Sequence, residues 1–238
     1  MRVLKGTRIR GQNQGIGVSM GIYAVGATGM TMTLDEVKIS KVQTGVYAVN
    51  GTLEMEKGSV TEFTEYGVNV GVLVTRASLT GTVITGKGSG TGIHAAGTKE
   101  MMMTLEKVEI KGVEKGVYME KGESLTIREN SRIEFKGDGV GVGVGSGVKN
   151  VSLNDVTIKG EDKGSGMGTG IYAMGAGNGT LTMTLEKVDI KGVEMGVYME
   201  KEGKSLTISG NSTIEFKENG KGHGGLWDGG NELDDIVG

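Results

Sequence analysis

The sequence predicts an all-β chain wound as a right-handed parallel β-helix, a pectin-lyase-like solenoid of about 23 residues per coil. Three observations carry that expectation: two columns of residues keep step along the chain, apolar and charged residues alternate with period two, and the 238 residues contain 46 Gly and no Pro.

The first column consists of Gly-Ile/Val motifs that begin at Gly21 (GIYA), Gly45 (GVYA), Gly67 (GVNV), Gly92 (GIHA), Gly116 (GVYM), Gly139 (GVGV), Gly170 (GIYA) and Gly196 (GVYM), at spacings of 24, 22, 25, 24, 23, 31 and 26. The second runs through Leu34, Leu53, Leu79, Leu105, Leu125, Leu153, Leu185 and Leu206, interleaved with the first. A larger repeat overlies both. Residues 103–121, MTLEKVEIKGVEKGVYMEK, recur as 183–201 with changes only at Glu109/Asp189 and Lys115/Met195, and a looser copy, MTLDEVKISKVQTGVY, starts at Met32. The offsets between these copies, 71 and 80 residues, are too long for one turn of a solenoid, so the finer period defines the coil.

The coil is built of strands. In Val108-Glu109-Ile110-Lys111 and Val188-Asp189-Ile190-Lys191 apolar and charged residues alternate, so the valines and isoleucines should be buried and the charged residues should face water. Met183 and Leu185 share a face while Val188 falls out of phase, which places a corner at Glu186-Lys187. A third strand is expected in Leu125-Thr126-Ile127 and Ile133-Glu134-Phe135, recurring as Leu206-Thr207-Ile208 and Ile214-Glu215-Phe216, with Glu129-Asn130-Ser131 and Gly210-Asn211-Ser212 as turns. The absence of Pro fits strands that donate hydrogen bonds to coils on both sides, and Gly suits corners that need positive φ. Right-handed crossover follows from strand twist, and eight to ten coils would stack at about 4.8 Å.

The expected organisation is an N-terminal cap or first coil at 1–20, the helix proper at 21–217, and a Gly-rich acidic tail or end cap at 218–238. Open ends of a solenoid need cover; Arg2 to Arg10 and Leu226-Trp227 are the candidates. Gly137–Gly147 and Gly160–Gly168 are expected to bulge as loops, although the Val/Gly alternation of the first also fits a strand bare of outward side chains.

The net charge of −3, from 26 Lys and Arg against 29 Asp and Glu, argues against a nucleic-acid binder. No stretch is apolar enough to span a bilayer, and zero Cys excludes disulfides and thiolate chemistry without naming a compartment. The chemical motifs are thin. Gly81 to Gly88 nearly matches a phosphate-binding loop, but Gly88 stands where the magnesium-binding hydroxyl belongs and no helix follows. Calcium-binding Gly-rich repeats need a regular Asp, and only Asp138 and Asp162 lie in such runs. His94 occupies the column of Tyr23, Tyr47, Tyr118, Tyr172 and Tyr198 and reads as a rung residue, while His223 sits among glycines. Asp35-Glu36, Glu161-Asp162 and Asp234-Asp235 are sequence neighbours that point to opposite faces of a strand. Arg128 and Arg132 become Ser209 and Thr213 in the neighbouring repeat, so a lyase-type cationic role there lacks an acidic cluster. The expectation is therefore a non-enzyme with no catalytic residues, no cofactor and no metal, whose receptor-binding residues the sequence does not mark.

The coil text GVYMEKGESLTIRENSRIEFKGDG, with LEKVEIKGVEKGVYMEK and its near-copy, resembles the passenger domains of bacterial autotransporters, particularly those of Bartonella, over about residues 20–220. Such passengers are secreted β-helices exported through a C-terminal outer-membrane barrel, and because no amphipathic barrel strands are read at its end, this sequence is expected to be an isolated passenger. The resemblance implies a protein that is secreted or held on the bacterial surface, a pro-angiogenic host-cell effector engaging a vascular endothelial growth factor receptor. The two near-identical copies would then offer two similar surfaces for receptor chains. The alternatives are an adhesin for host matrix or cell-surface glycans and a polysaccharide lyase.

Overall fold

A computed structural model describes residues 1–11, 19–26, 29–161, 168–174, 180–200 and 204–224, the side chains of Lys204 and of 217–224 excepted. The chain forms a right-handed parallel β-solenoid of about eight turns with about 24 residues per turn. In chain order the strands are β1 (Arg2–Lys5), β2 (Arg8–Arg10), β3 (Met20–Ala24), β4 (Thr31–Asp35), β5 (Lys38–Ser40), β6 (Thr44–Glu56), β7 (Ser59–Phe63) and β8 (Tyr66–Thr80). They continue as β9 (Val83–Gly86), β10 (Thr91–Ala95), β11 (Met102–Glu106), β12 (Glu109–Gly160), β13 (Thr169–Ala173), β14 (Leu181–Met199), β15 (Lys204–Ser209) and β16 (Thr213–Gly224). The long ones turn corners without losing their inter-coil pairing, so β12 runs round the rod more than once. Every strand pairing is parallel and joins neighbouring coils.

Each coil contributes three strand segments. One carries the Gly-Ile/Val motif, as in Ile93 over Val68 and under Val117. The next carries the Met-x-Leu pattern, with Leu105 between Leu79 and Ile127. The last carries the isoleucine column Ile9, Ile39, Val60, Ile84 and Ile110. The segments Leu125–Ile127 and Ile133–Phe135 are therefore not a third strand: Leu125 stacks on Met103, so this text is the next coil's copy of the second and third segments. The leucine column also divides. Leu34 pairs with Met55, whereas Leu53 pairs with Met32, two residues earlier on the same inward face. The sixth Gly-Val motif shifts by two as well, because Val142 pairs with Ile171, which makes Gly141 rather than Gly139 the column member. Gly137–Gly147 lies within β12 and does not bulge as a loop.

The inward columns form one core. Val108, Ile110, Val188 and Ile190 are buried while Glu109, Lys111, Asp189 and Lys191 are half-exposed, as period-two alternation requires. Phe63 and Phe135 are the largest buried side chains. Each buried aliphatic or aromatic side chain contributes roughly 1.5–3 kcal/mol.

Two features fix the corners. The corner between the second and third segments recurs with a left-handed residue in every coil: Gly6, Glu36, Lys57, Gly81, Lys107, Glu129, Asp155, Lys187 and Gly210 all have positive φ, and Asn130 and Asn211 follow two of them with positive φ as well. Six of the first nine are charged rather than Gly, so solvated side chains occupy a conformation that costs a non-Gly residue roughly 1–2 kcal/mol. In two coils a serine hydroxyl ties the turn. Ser131 Oγ accepts from the Val108 N–H at 3.2 Å and donates to the Arg128 carbonyl at 2.7 Å, and Ser212 does the same for Val188 and Ser209 at 3.0 and 2.7 Å.

The glycine column answers a need for space instead. A Cβ on Gly45, Gly92 or Gly116 would lie 2.2–2.6 Å from the Val60, Ile110 or Ile133 side chain, because the motif segment begins against the aliphatic column of the third segment. At the N-terminal end β1 and β2 pair on one side only, with β4 and β5. There Arg2 shares the inward column of buried Met32, and a charge in that position discourages edge-to-edge pairing with another sheet. Leu226-Trp227 and the rest of 225–238 lie outside the described residues, as do 162–167 of the second glycine run.

Candidate functional site

The few aromatic residues of this chain are not scattered. The outward position of the motif segment holds, coil after coil, Tyr23, Tyr47, Asn69, His94, Tyr118, Gly143, Tyr172 and Tyr198. Strand register thus converts a repeat of about 24 residues into a ladder of rings along one face. Tyr172 and Tyr198 stack with centroids 5.5 Å apart and planes within 8°, and His94 and Tyr118 at 6.0 Å and 11°; Tyr23 and Tyr47 meet at 5.5 Å with a tilt of 54°. Offset contacts of this kind contribute about 0.5–1.5 kcal/mol each beyond area burial.

His94 is a rung of this ladder, as its column position predicts. Its Nδ1 lies 3.1 Å from Asn69 Oδ1 and its Nε2 3.1 Å from Glu120 Oε1, while Tyr66 packs on its other side at 5.3 Å. Where Gly143 interrupts the ladder the Tyr118 ring leans into the space a side chain would occupy, 2.4 Å from the ideal Cβ. Beside it opens a shallow notch of about 330 Å³, floored by Gly145, Ser146 and Gly147 and walled by Tyr118, Glu120, Lys121 and Met174. Burial, and then the Glu120 carboxylate, push the Tyr118 phenol up from its usual value.

Further along, the Tyr172 hydroxyl donates to the Glu200 carboxylate, and that hydrogen bond, with desolvation and the Glu200 charge, pushes the phenol up to about 12. The folded pKa lies above the unfolded one, so the contact stabilises fully below about pH 10 and its contribution is lost as pH rises towards 12. Ultraviolet titration should therefore show one phenol still protonated at pH 11 that ionises earlier in Glu200→Gln; identical curves for the two proteins would disprove the contact.

A second surface sits on the first coils. A groove of about 410 Å³ is lined by Gly6, Arg8, Glu36, Lys38 and Lys57. Arg8 pairs directly with Lys38 across β2 and β5, and Arg10 projects two residues further along the same face.

The chemical candidates are dispersed. Arg128 is held by Glu106 through Nε at 2.8 Å and through a second nitrogen, and this hydrogen-bonded charge raises its pKa further. Arg132 is exposed on the third segment, in the column of Glu109 and Asp189. Asp35 pairs with Lys5 at 2.9 Å and its neighbour Glu36 forms the corner. Gly81–Gly88 is a corner followed by β9 rather than a loop capping a helix. Asp138 is exposed, and Asp162, Asp234 and Asp235 lie outside the described residues, as does the side chain of His223. Among the described residues no three His, Asp or Glu side chains converge, and no helix is long and apolar enough to cross a membrane.

The tyrosine column is legible in the sequence as a set of rungs, whereas the basic groove is not, because Lys38 and Lys57 are 30 and 49 residues from Arg8. The spacing of the columns was the signal that places Arg8 and Lys38 together.

No curated protein and no solved structure matches the chain. A family model described as the right-handed β-helix region matches residues 20–183 and again 91–224, which overlap as expected for a repeated coil read in two frames. With the parallel three-segment coils, the left-handed corners and the inward aliphatic columns, that match places this chain in the right-handed β-helix family.

Proposed function

We propose that this chain is a passenger-type β-helix that works outside the bacterium as a non-enzymatic effector, binding a host-cell receptor of the vascular endothelial growth factor class. The observation that carries a binding role is the tyrosine and histidine ladder: side chains of the type that anchor protein interfaces are gathered on one preformed face, so docking there orders little of the chain. The family is compatible with passengers and adhesins, and the text of the coils supplies the resemblance to angiogenic passengers.

The ladder also constrains how receptor chains would be gathered. Gly116, Gly141, Gly170 and Gly196 stack in successive coils, so the near-identical copies are three coils, about 14 Å, apart. A receptor domain of about 100 residues has a radius of gyration near 13 Å, so two such domains cannot dock side by side on equivalent points of these copies. The copies act as one continuous surface, and bringing two receptors together requires a second face or a second molecule.

Purified protein should bind immobilised receptor ectodomain and raise receptor phosphorylation on endothelial cells. Tyr118→Ala and Tyr172→Ala should weaken both while leaving the melting transition cooperative. No binding and no phosphorylation at micromolar concentration would reject the receptor reading. The adhesin reading is favoured by one observation of its own, the basic groove of the first coils.

A further inference from the structure

We infer that the groove formed by Arg8, Lys38 and Lys57 is a binding site for a linear sulfated polysaccharide. This goes beyond the receptor reading and does not depend on it.

The argument starts from what the same face does elsewhere on the rod. In the fifth and eighth coils the outward positions of the third segment hold an acid and a base two residues apart, and they neutralise each other: Lys111 Nζ meets Glu109 at 2.6 Å and Lys191 Nζ meets Asp189 at 2.6 Å. In the first coil the equivalent positions are Arg8 and Arg10, and in the second they are Lys38 and Ser40. The acid has been replaced by a cation.

Register then sets like charge on like charge. Arg8 and Lys38 are direct partners across a parallel pair of strands, an arrangement that destabilises a sheet when nothing neutralises it. At the adjoining corner Lys57 is left over in the same way. Its counterpart Lys107 pairs with Glu129 of the next coil at 3.2 Å, but the corner after Lys57 is Gly81, which offers no carboxylate. Among the described residues no carboxylate oxygen lies within 4.0 Å of Arg8, Arg10, Lys38 or Lys57, although Glu36 sits in the same groove.

The sequence confines this polarity to one end. The first 34 residues contain four cations and no acid, in a chain whose net charge is −3. Attraction of a polyanion is therefore a property of this groove, because the molecule as a whole repels one.

The shape selects the class. Arg8 and Lys38 stack at the coil spacing of about 4.8 Å and Lys57 follows at the corner of the next coil, a short row that fits an extended chain with several anions better than an isolated small anion. Arg8 and Arg10 offer planar forks suited to sulfate or carboxylate. No aromatic ring lines the groove, so nothing there would stack on a base, and a single-stranded nucleic acid would lack its usual platform.

The test uses the full chain and immobilised heparin as probe, with fully desulfated heparin, inorganic sulfate and double-stranded DNA as competitors. The expected result is binding at low salt that weakens as salt is raised, with competition by heparin far ahead of the other three. Arg8→Ala/Lys38→Ala should weaken it about tenfold or more, and Lys57→Glu should do so independently, which guards against a folding defect in the first pair. Lys191→Ala, on the same face of a distant coil but ion-paired, should leave affinity unchanged. The inference is overturned if the chain does not bind heparin, if Lys191→Ala costs as much as the groove variants, or if DNA competes as well as heparin. Since no receptor is present in this assay, its failure would leave the receptor reading untouched.

Discussion

Replacing Gly116 by Val should cost the rod its cooperative unfolding transition at ordinary temperature, and even Gly116→Ala should lower stability by about 3 kcal/mol, the upper end of what overpacking typically costs. Gly116 does not have positive φ. What forbids a side chain is proximity: an ideal Cβ would lie 2.3 Å from Ile133 Cγ2 and 2.4 Å from the Gly141 carbonyl oxygen. The isoleucine could turn aside, but the carbonyl belongs to the backbone of the next coil and is held by inter-coil pairing. Relief would have to separate two coils, and Gly141 and Gly170 meet the same obstruction from Ile158 and Ile190 above them. Gly137→Ala makes the control. Nothing lies within 4 Å of a Cβ there, and only its φ of 56° opposes the change, a penalty of about 1–2 kcal/mol. Urea unfolding of the three variants would decide: equal effects at 116 and 137 would mean that backbone conformation, not space, selects the glycine column.

That contrast also explains what the sequence could and could not disclose. The glycine spacing announces the coil, but the same letter serves two purposes, and only the coordinates separate Gly116, which makes room, from Gly81, which turns a corner. Most members of that corner column are Lys or Glu, residues with no sequence preference strong enough to mark a left-handed turn. The two-residue shifts have a physical cause as well. On a strand, positions i and i+2 face the same way, so placing Leu53 in the column of Leu34, or Gly139 in that of Gly141, buries the same side chains and leaves the pattern unchanged. The misplaced third segment arose where the chain had already passed once round the rod: between Lys111 and Leu125 lies the whole Gly-Val-Tyr segment, and Leu125 returns to stack on Met103.

The candidate surfaces were less legible because they are made between coils. A composition with 10 aromatic residues in 238 suggests a face poor in rings. Stacking gathers five tyrosines and His94 into one line and gives that small number a density no percentage reveals. Likewise Arg8 and Lys38 look ordinary in a chain with balanced charge until register sets them side by side.

The same stacking makes a single core charge unusually damaging, and Val188→Asp should lower stability by several kcal/mol at pH 7. Val188 is 2% exposed, its N–H is held by the Ser212 hydroxyl, and it stacks directly on Val156. A carboxylate there has no cation to meet, because Lys187 is the exposed corner residue and Lys191 is committed to Asp189 on the outer face. Val188→Ala removes the packing without adding charge and should cost about 1–3 kcal/mol, so the difference between the two variants isolates the buried carboxylate. That difference has a pH signature. Burial would raise the new aspartate's folded pKa above its unfolded value of about 3.9, so the variant should be least impaired below pH 4 and lose stability as pH rises through the folded pKa. Neighbouring Asp189 behaves oppositely. Burial alone would raise it, but hydrogen bonds from Lys191 and Thr213 outweigh that and hold it below the ordinary carboxylate range, so its contribution is present at neutral pH and lost on acidification. Two aspartates one residue apart, one facing the core and one facing water, should therefore drive stability in opposite directions with pH. If Val188→Asp melts like Val188→Ala from pH 4 to 8, the residue does not face the core and the inward register of the eighth coil is wrong.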